Sequence, residues 1–337
     1  MEKVATNWPT TNPAVLLRML RQSWGSLVRR QELIVALLLL LAGMGLGFGT
    51  DTFITSTNLL NVSIYVSWFA IAAFGVGLAI IVGGIDLSVA SVMALAGILC
   101  ALALHWGWPL WAAIGLGLLS GGLVGSLNGI LVSQFQLPPF IVTFGTMGLA
   151  RGITLSLTSG APVRDLPQPF LELGQGSLWL GPLEVPLPLL WMLILAALLS
   201  LMLHRTVLGR YIYILGSDEP ALLAVGIPTG RLKLLAYMLS GTLAACSGIV
   251  MTAKLGVAAP MAANGYELDI IAAAVIGGAS LFGGEGTIIG IVLGTILMQV
   301  VRNGLVLLGF STSWQWLAIG AMILVVILLD FWRRRRV

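Results

Sequence analysis

The stretch LNVSIYVSWFAIAAFGVGLAIIVGGIDLSVASVMALAGILCALALH, residues 60–105, decides the fold of this chain. It contains two long apolar runs separated by Gly83-Gly84-Ile85-Asp86, and Asp86 is its only charged residue among Asp, Glu, Lys and Arg. A helix needs about 20 apolar residues to cross the hydrocarbon core of a bilayer. Membrane strands would instead alternate apolar and polar residues over about ten positions. The stretch therefore predicts two membrane-spanning helices joined by a short polar break.

The same pattern continues along the chain, which has 337 residues, 58% of them hydrophobic and 9% charged. Soluble domains have about 25% charged residues, so this composition indicates a membrane protein. Apolar runs between polar or Gly/Pro breaks predict an all-α integral membrane fold with about ten transmembrane helices. The predicted spans are 33–50, 60–82, 88–105, 110–132, 138–158, 188–204, 234–253, 268–281, 287–308 and 313–330.

The basic residues indicate how the chain crosses the membrane, because cytoplasmic loops are enriched in Lys and Arg. With the N-terminus in the cytoplasm, five of the 17 basic residues fall within 1–32, four within the loop 205–233 and four within the tail 331–337. The four that remain are Arg151, Arg164, Lys254 and Arg302. We therefore expect a transmembrane domain over 33–330, both termini in the cytoplasm and a long outer loop at 159–187.

Charge and cysteine placement exclude several classes of protein. The net charge of +4 does not indicate a nucleic-acid partner, because the basic residues separate apolar runs and form no continuous patch. The run Arg333–Arg336 is interpreted as a topology anchor that could also contact membrane lipid. Cys100 and Cys246 lie far apart inside apolar runs, so neither a disulfide framework nor a zinc motif is available. We expect no metal and no cofactor in this chain.

Two glycine pairs, Gly83-Gly84 and Gly277-Gly278, stand where an apolar run meets a polar residue. Such positions predict interrupted or re-entrant helices. The segment 82–87 is similar to 276–281, with Gly83 matched to Gly277 and Gly84 to Gly278. This similarity could reflect an internal repeat or only the high frequency of glycine in membrane helices.

Carboxylates stand at predicted helix ends. Asp86 falls at a turn before the third span, where it could cap that helix or take a conformational or coupling role. Glu267 and Asp269 open the eighth span, where acidic groups favour a helix N-terminus. Capping is the expected role for all three.

Polar residues inside the predicted spans are candidates for a translocation pathway. Interrupted helices in transporters direct free backbone groups towards a central path, which suits a solute made largely of hydroxyls. Such a solute also needs amide and hydroxyl partners and an aromatic face. The candidates are Asn61, Tyr65, Ser67, Trp68, Thr143, Thr146, Gln299 and Asn303. A single Ser or Thr in a span can instead bond the backbone of its own helix.

The loop 205–233 contains an amphipathic segment, 217–226. Ser217 or Asp218 can cap a helix there, Pro220 suits its first turn and Gly226 can end it. We expect a single exposed cytoplasmic helix of about two turns.

Motifs of enzymes and nucleotide-binding proteins are absent from the sequence. There is no G-x-x-x-x-G-K-[ST] phosphate loop, no H-E-x-x-H and no G-x-S-x-G, and the only histidines, His105 and His204, lie near span ends. The chain is therefore expected to be neither an enzyme nor an ATP-binding subunit. Because the carboxylates cluster at ends and turns, an ion-coupled secondary carrier is disfavoured, although it stays an alternative beside a channel.

Four segments carry a resemblance to a known family. They are 83–89 (GGIDLSV), 138–146 (PPFIVTFGT), 216–226 and 267–286. In order and spacing the sequence resembles the permease subunits of ribose-type monosaccharide ABC importers, within a wider group that includes branched-chain amino acid permeases. The resemblance covers most of the chain from about residue 60 to 330.

The resemblance implies a ten-helix bacterial inner-membrane permease that pairs with a second permease subunit and receives sugar from a periplasmic binding protein. Two cytoplasmic ATPase subunits would bind ATP and Mg and would dock on the 217–226 segment. The implied coupling residues are Ser217, Asp218, Glu219, Ala221, Ala224 and Gly226. Relatives often read Gly-Asn-Asn-Glu or Gly-Gly-Asn where this chain has Gly216-Ser217-Asp218-Glu219-Pro220, which leaves the individual contacts open. A furanose signalling molecule or a branched-chain amino acid is the alternative solute.

Overall fold

The structure is a computed structural model that describes the backbone of residues 13–334, and side chains from Gln31 onward except at Leu180 and at several positions between 312 and 334. The predicted segment 1–32 and the basic tail 331–337 therefore lie largely outside the described side chains. The elements, in chain order, are α1 (Pro13–Gly49), α2 (Ser56–Ile81), α3 (Val89–His105), α4 (Leu110–Ser133), α5 (Pro139–Thr158), α6 (Gln168–Gln175), β1 (Ser177–Leu180), β2 (Leu183–Pro186), α7 (Leu187–Arg205), α8 (Val207–Ser217), α9 (Glu219–Ala224), α10 (Thr229–Leu255), α11 (Tyr266–Ile276), α12 (Ile288–Leu307) and α13 (Thr312–Arg334).

Among the described residues, seven helices are long and apolar enough to cross a membrane: α1, α2, α4, α5, α7, α10 and α12. The apolar helix α3 has 17 residues, and α11 has only 11 because the glycine pair at 277–278 ends it. The predicted all-α membrane fold is confirmed. Each of the ten predicted spans overlaps a helix, but a count of ten spanning helices is not confirmed.

The centre of the bundle is α2, in which every residue from Val66 to Ile81 is buried. The helix α10 crosses α4 on glycines that face each other. A Cβ atom placed on Gly121 would lie 2.3 Å from the carbonyl oxygen of Gly241, and one placed on Gly241 would lie 2.1 Å from that of Gly121. Only residues without a side chain allow such an approach, so the α4 glycines form a helix contact face.

The long loop predicted at 159–187 is ordered and contains α6 and the antiparallel hairpin β1–β2. Gly174 brings α6 against the last turn of α10, because a Cβ there would lie 2.2 Å from the backbone nitrogen of Lys254. The hydroxyl of Ser177 donates to Glu184 Oε1 across the hairpin at 2.8 Å. The hairpin is a small β addition that the all-α prediction did not include.

The loop predicted at 205–233 contains two helices, α8 and α9, so the expectation of a single helix is wrong. Thr206 caps α8 by accepting a hydrogen bond from the Gly209 backbone at 3.1 Å. Ile212 and Leu215 of α8 are buried against the bundle. The segment 205–216 was interpreted as loop because basic residues stand in it. Ile212 and Leu215 are nevertheless three positions apart, which places them on one face of a helix.

The helix α7 separates these two regions. Its 19 residues extend for about 28 Å, so α6 with the hairpin and α8 with α9 lie at opposite ends of the bundle. We call these the α6 end and the α9 end.

The glycine contact between α4 and α10 predicts a specific cost for an added methyl group. We expect Gly241→Ala to lower the free energy of unfolding by about 1–3 kcal/mol, because the backbone of α4 must move away. Thermal unfolding of the detergent-purified chain, followed by gel filtration, measures this. In the control Gly115→Ala the new methyl group meets no atom within 4 Å, so a similar loss there would contradict the prediction.

Candidate functional site

The two chain breaks end their helices in the same way. After Ile81 and after Ile276, the next three backbone N–H groups donate to carbonyls four, three and five residues back, at 2.8–3.2 Å. The second residue of each break has a positive φ, +83° at Gly83 and +101° at Gly278, which favours glycine. Gly83 therefore corresponds to Gly278, one position away from the sequence match with Gly277. The breaks predicted at both glycine pairs are present.

Asp86 lies in the first break and is fully buried. Its Oδ1 accepts hydrogen bonds from the Ser88 backbone at 2.9 Å and the Ser88 hydroxyl at 2.6 Å, and its Oδ2 accepts one from the Ser240 hydroxyl at 2.7 Å. The expected capping role is wrong in detail, because Ser88 directly precedes α3 and Asp86 instead joins the break to α10. A buried carboxylate is stable only where donors surround it, and this one has three.

The hydrogen bonds continue from Ser88 into α4 and α5. The Asn128 amide donates to Ser88 Oγ at 3.0 Å, and the Thr146 hydroxyl donates to Asn128 Oδ1 at 2.7 Å. The Thr143 hydroxyl donates to the Ile85 carbonyl at 3.1 Å. We call Asp86, Ser88, Asn128, Thr143, Thr146 and Ser240 the buried network. Thr143 and Thr146, which were predicted to line a pathway, are here engaged in holding the first break.

The pathway candidates of α2 separate into two groups. Asn61 and Tyr65 are exposed, whereas Ser67 is buried and its hydroxyl donates to the Ser63 carbonyl at 2.5 Å. Trp68 is buried and stacks on Tyr266, with ring centroids 6.0 Å apart. The eight candidates are thus not gathered around one cavity.

Polar residues of α11 and α12 are paired near the α6 end. Asn303 exchanges two amide hydrogen bonds with Asn58, at 2.9 and 3.1 Å. Asp269 forms an ion pair with Arg302, whose guanidinium lies over the Tyr266 ring at 4.9 Å from its centroid.

The remaining acidic and amide candidates of these helices are also buried. Glu267 and Gln299 are both buried, at 9% and 6% exposure. Both carboxylates stand in the first turn of α11, as predicted, but Asp269 has a partner that the capping interpretation did not include.

Several of these residues were missed from the sequence. Arg151 and Arg302 were set aside as exceptions to the charge pattern, although a cation in a span requires oxygen partners. Arg151 Nη1 donates to the carbonyls of Pro260 and Ala262 at 2.6 and 3.1 Å. Asn128 is a lone amide in an apolar, glycine-rich helix, which was the available signal for the buried network.

The predicted coupling segment lies at the surface of the α9 end. Asp218 caps α9 by accepting a hydrogen bond from the Ala221 backbone at 3.1 Å. Glu219 forms an ion pair of 2.8 Å with Lys233 at the start of α10. Gly226 follows the helix with a φ of +79°. Of the predicted coupling residues, the exposed ones are Ser217, Asp218, Ala221, Ala224 and Gly226.

A cleft of about 890 Å³ opens beside α9. Its lining includes Glu219 and Lys233 together with Gly83, Gly84 and Tyr237. The predicted coupling segment and the first break therefore line one cavity. Within the part of the chain that the structure describes, no three His, Cys, Asp or Glu side chains are placed to hold a metal ion.

The hydrogen bond from Ser240 to Asp86 leads to a test of the buried network. We expect Ser240→Ala to lower the free energy of unfolding by about 1–3 kcal/mol, because it removes a donor from a buried carboxylate. The matched control is Ser126→Ala, since the Ser126 hydroxyl bonds only the Gly122 carbonyl of its own helix. Equal shifts of the two unfolding midpoints would count against the network.

The ion pair between Glu219 and Lys233 predicts a pH dependence. Burial alone would raise the pKa of Glu219, but hydrogen bonds from Lys233 and Thr229 and the Lys233 charge together hold this pKa below its usual 4.5. A lowered carboxyl pKa stabilises the fold above about pH 4.5, and this stability is lost as pH falls below that value. Comparing the unfolding midpoints of wild type and Lys233→Met between about pH 7 and pH 3 should reveal a gap of at most about 1 kcal/mol that closes in acid. A gap independent of pH would contradict this assignment.

Comparison with known proteins identifies relatives over most of the chain. Residues 58–327 match the family described as branched-chain amino acid transport system / permease component. The ribose import permease protein of Escherichia coli (strain K12) is 38% identical over 324 residues, covering 95% of this chain and 98% of the relative. The ribose import permease protein of Bacillus subtilis (strain 168) is 39% identical over 281 residues, covering 83% and 86%. The D-allose transport system permease protein of E. coli (strain K12) is 36% identical over 281 residues, covering 83% and 85%.

No solved structure matches the chain significantly. The relatives are transport components and not enzymes, and together with the seven apolar helices they indicate a multi-pass inner-membrane protein. The resemblance found in the sequence is confirmed. This chain belongs to the family of branched-chain amino acid transport system permease components.

Proposed function

We propose that this chain is the membrane-spanning permease subunit of an ATP-binding-cassette importer that carries a monosaccharide, a ribose-like pentose or a hexose. The observation that carries the proposal is the similarity over more than four-fifths of the chain to permeases named for ribose and D-allose. Transport proceeds by alternating access, in which the pathway opens to one side of the membrane at a time.

The α9 end is the docking site for a cytoplasmic ATPase, which binds ATP and Mg. Leu223 and Val225 are apolar and exposed beside the exposed coupling residues, as a helix that enters a partner groove requires. In this orientation both termini are cytoplasmic, in agreement with the basic residues of 205–233.

The α6 end faces the periplasm and receives the sugar-binding protein. The hairpin there exposes Trp179 and Leu183, and exposed aromatic residues are typical of protein contact surfaces. The large outer loop predicted from the sequence thus forms an ordered surface for contact with the binding protein.

A second permease subunit, or membrane lipid, covers the outward face of α5. Phe140 and Phe144 stack there with ring centroids 6.3 Å apart, and both are exposed. A Cβ placed on Gly145, Gly148 or Gly152 would meet no atom within 4 Å, so this face has room for close helix contact. Tyr65 and Asn61, also exposed, are candidates for a pathway between two such subunits.

The alternative solutes are a furanose signalling molecule and a branched-chain amino acid, and an ion-coupled secondary carrier is the alternative mechanism. The amino acid and the secondary carrier can be tested by reconstituting the chain with its ATPase and binding protein in liposomes. We expect uptake of radiolabelled D-ribose or D-allose that requires ATP and resists a proton uncoupler. Uptake of L-leucine alone would overturn the solute, and uptake abolished by the uncoupler without ATP would overturn the importer class.

The position of α9 predicts that a bulky residue there blocks docking without unfolding the bundle. Ala224→Trp adds a side chain at an exposed position and should abolish capture of the ATPase by the tagged permease. Glu219→Arg should weaken capture as well, because it replaces the ion pair with Lys233 by a repulsion. The control Ala161→Trp, exposed at the α6 end, should capture normally. Normal capture by Ala224→Trp would place the docking site elsewhere.

A further inference from the structure

The last turn of α8 touches both chain breaks through backbone atoms. A Cβ placed on Gly216 would lie 1.8 Å from the carbonyl oxygen of Ile81 and 2.3 Å from the backbone nitrogen of Gly284. That nitrogen donates a hydrogen bond to the same Ile81 carbonyl at 2.8 Å. Ile81 ends α2, and Gly284 lies in the loop between α11 and α12. Three distant segments therefore meet at one point.

Glycines on the other side of this point make the contact equally close. A Cβ on Gly283 would lie 2.6 Å from the Gly216 carbonyl oxygen, and one on Gly284 would lie 2.8 Å from Ser217 Cβ. Both residues also have a positive φ, +82° and +76°. The contact between Gly216, Ile81 and Gly284 is made by backbone atoms. No side chain in it can change rotamer to accommodate a displacement.

A second tie runs beside the first. The Tyr213 hydroxyl, one turn earlier in α8, donates to the Gly286 carbonyl at 2.6 Å. Asp218 alone separates α8 from α9. A displacement of α9 consequently acts on α8 directly, and α8 is held to the second break at two places.

We propose that Gly216, with the Ile81 carbonyl and the Gly284 N–H, positions the two chain breaks relative to the docking helix and transmits its movement to them. This rests on the proposed function, since the movement comes from the docked ATPase. The first break holds Asp86, and the second ends α11, which carries Asp269. Moving α8 must therefore shift both breaks together or separate them, and either event rearranges the core of the bundle.

The test compares coupling with assembly in the complex of permease, ATPase and binding protein, with D-ribose as the probe. The measured quantity is the number of ribose molecules taken up per ATP hydrolysed. We expect Gly216→Ala to lower this ratio at least about tenfold, within the range of measured coupling between sites. Tyr213→Phe keeps the ring and removes one hydrogen bond, so a fall of about twofold to tenfold is expected. Gly115→Ala is the control and should leave the ratio unchanged.

The ratio is measured on purified, assembled complex and so separates coupling from folding, because permease that fails to fold and free ATPase are both removed before the measurement. Unchanged ratios in both variants would overturn the inference. If Gly216→Ala does not assemble, a lowered ratio in Tyr213→Phe still supports the inference, and an unchanged one overturns it. Wild-type complex that takes up neither D-ribose nor D-allose with ATP would overturn the proposed function, and with it the inference. A coupled wild type with unaffected variants would refute the inference alone.

Discussion

A helix that stops inside a membrane protein leaves backbone groups without partners, and in a medium without water each of them is costly. The rest of this structure depends on how that cost is met at the two breaks. Each helix end is closed by the same three backbone hydrogen bonds, with a glycine in a left-handed conformation. The loose carbonyl of Ile81 is then satisfied by Gly284 from the other break, so each interruption helps to stabilise the other.

The polar atoms of the first break impose the arrangement of the neighbouring helices. Asp86 needs donors from several directions, and these come from its own loop and from α10, while Asn128 and Thr146 extend the network through α4 and α5. Close approach between α4 and α10 at Gly121 and Gly241 accompanies these contacts. Polar satisfaction and glycine packing therefore specify one arrangement of the bundle together.

Apolar runs were sufficient to predict where helices lie, because the length of a run and its flanking breaks are local properties. The partners of a buried polar group are not local. Asp86 was interpreted as a helix cap because its donor Ser240 is 154 residues away in the sequence. Asp269 was interpreted as a cap because its partner Arg302 belongs to another helix. The helix α8 was missed because Arg205 and Arg210 led its segment to be assigned to a basic loop. The match of Gly83 to Gly277 is displaced by one position because Val82 stands between the end of α2 and its glycine pair, whereas Gly277 follows α11 directly.

The helix α10 touches both ends of the molecule without a break. Its first turns are joined to α9 by Lys233, and its last turn supports α6, where the Gln175 amide donates to the Ala253 carbonyl at 3.1 Å. Its 27 residues form a rod of about 40 Å with an uninterrupted hydrogen-bond ladder. A helix without a break cannot bend sharply, so a displacement at the α9 end reaches the α6 end as a shift or rotation of the whole of α10. The bundle thus has one continuous, stiff helix, α10, beside the helices α2 and α11 that end at the two breaks.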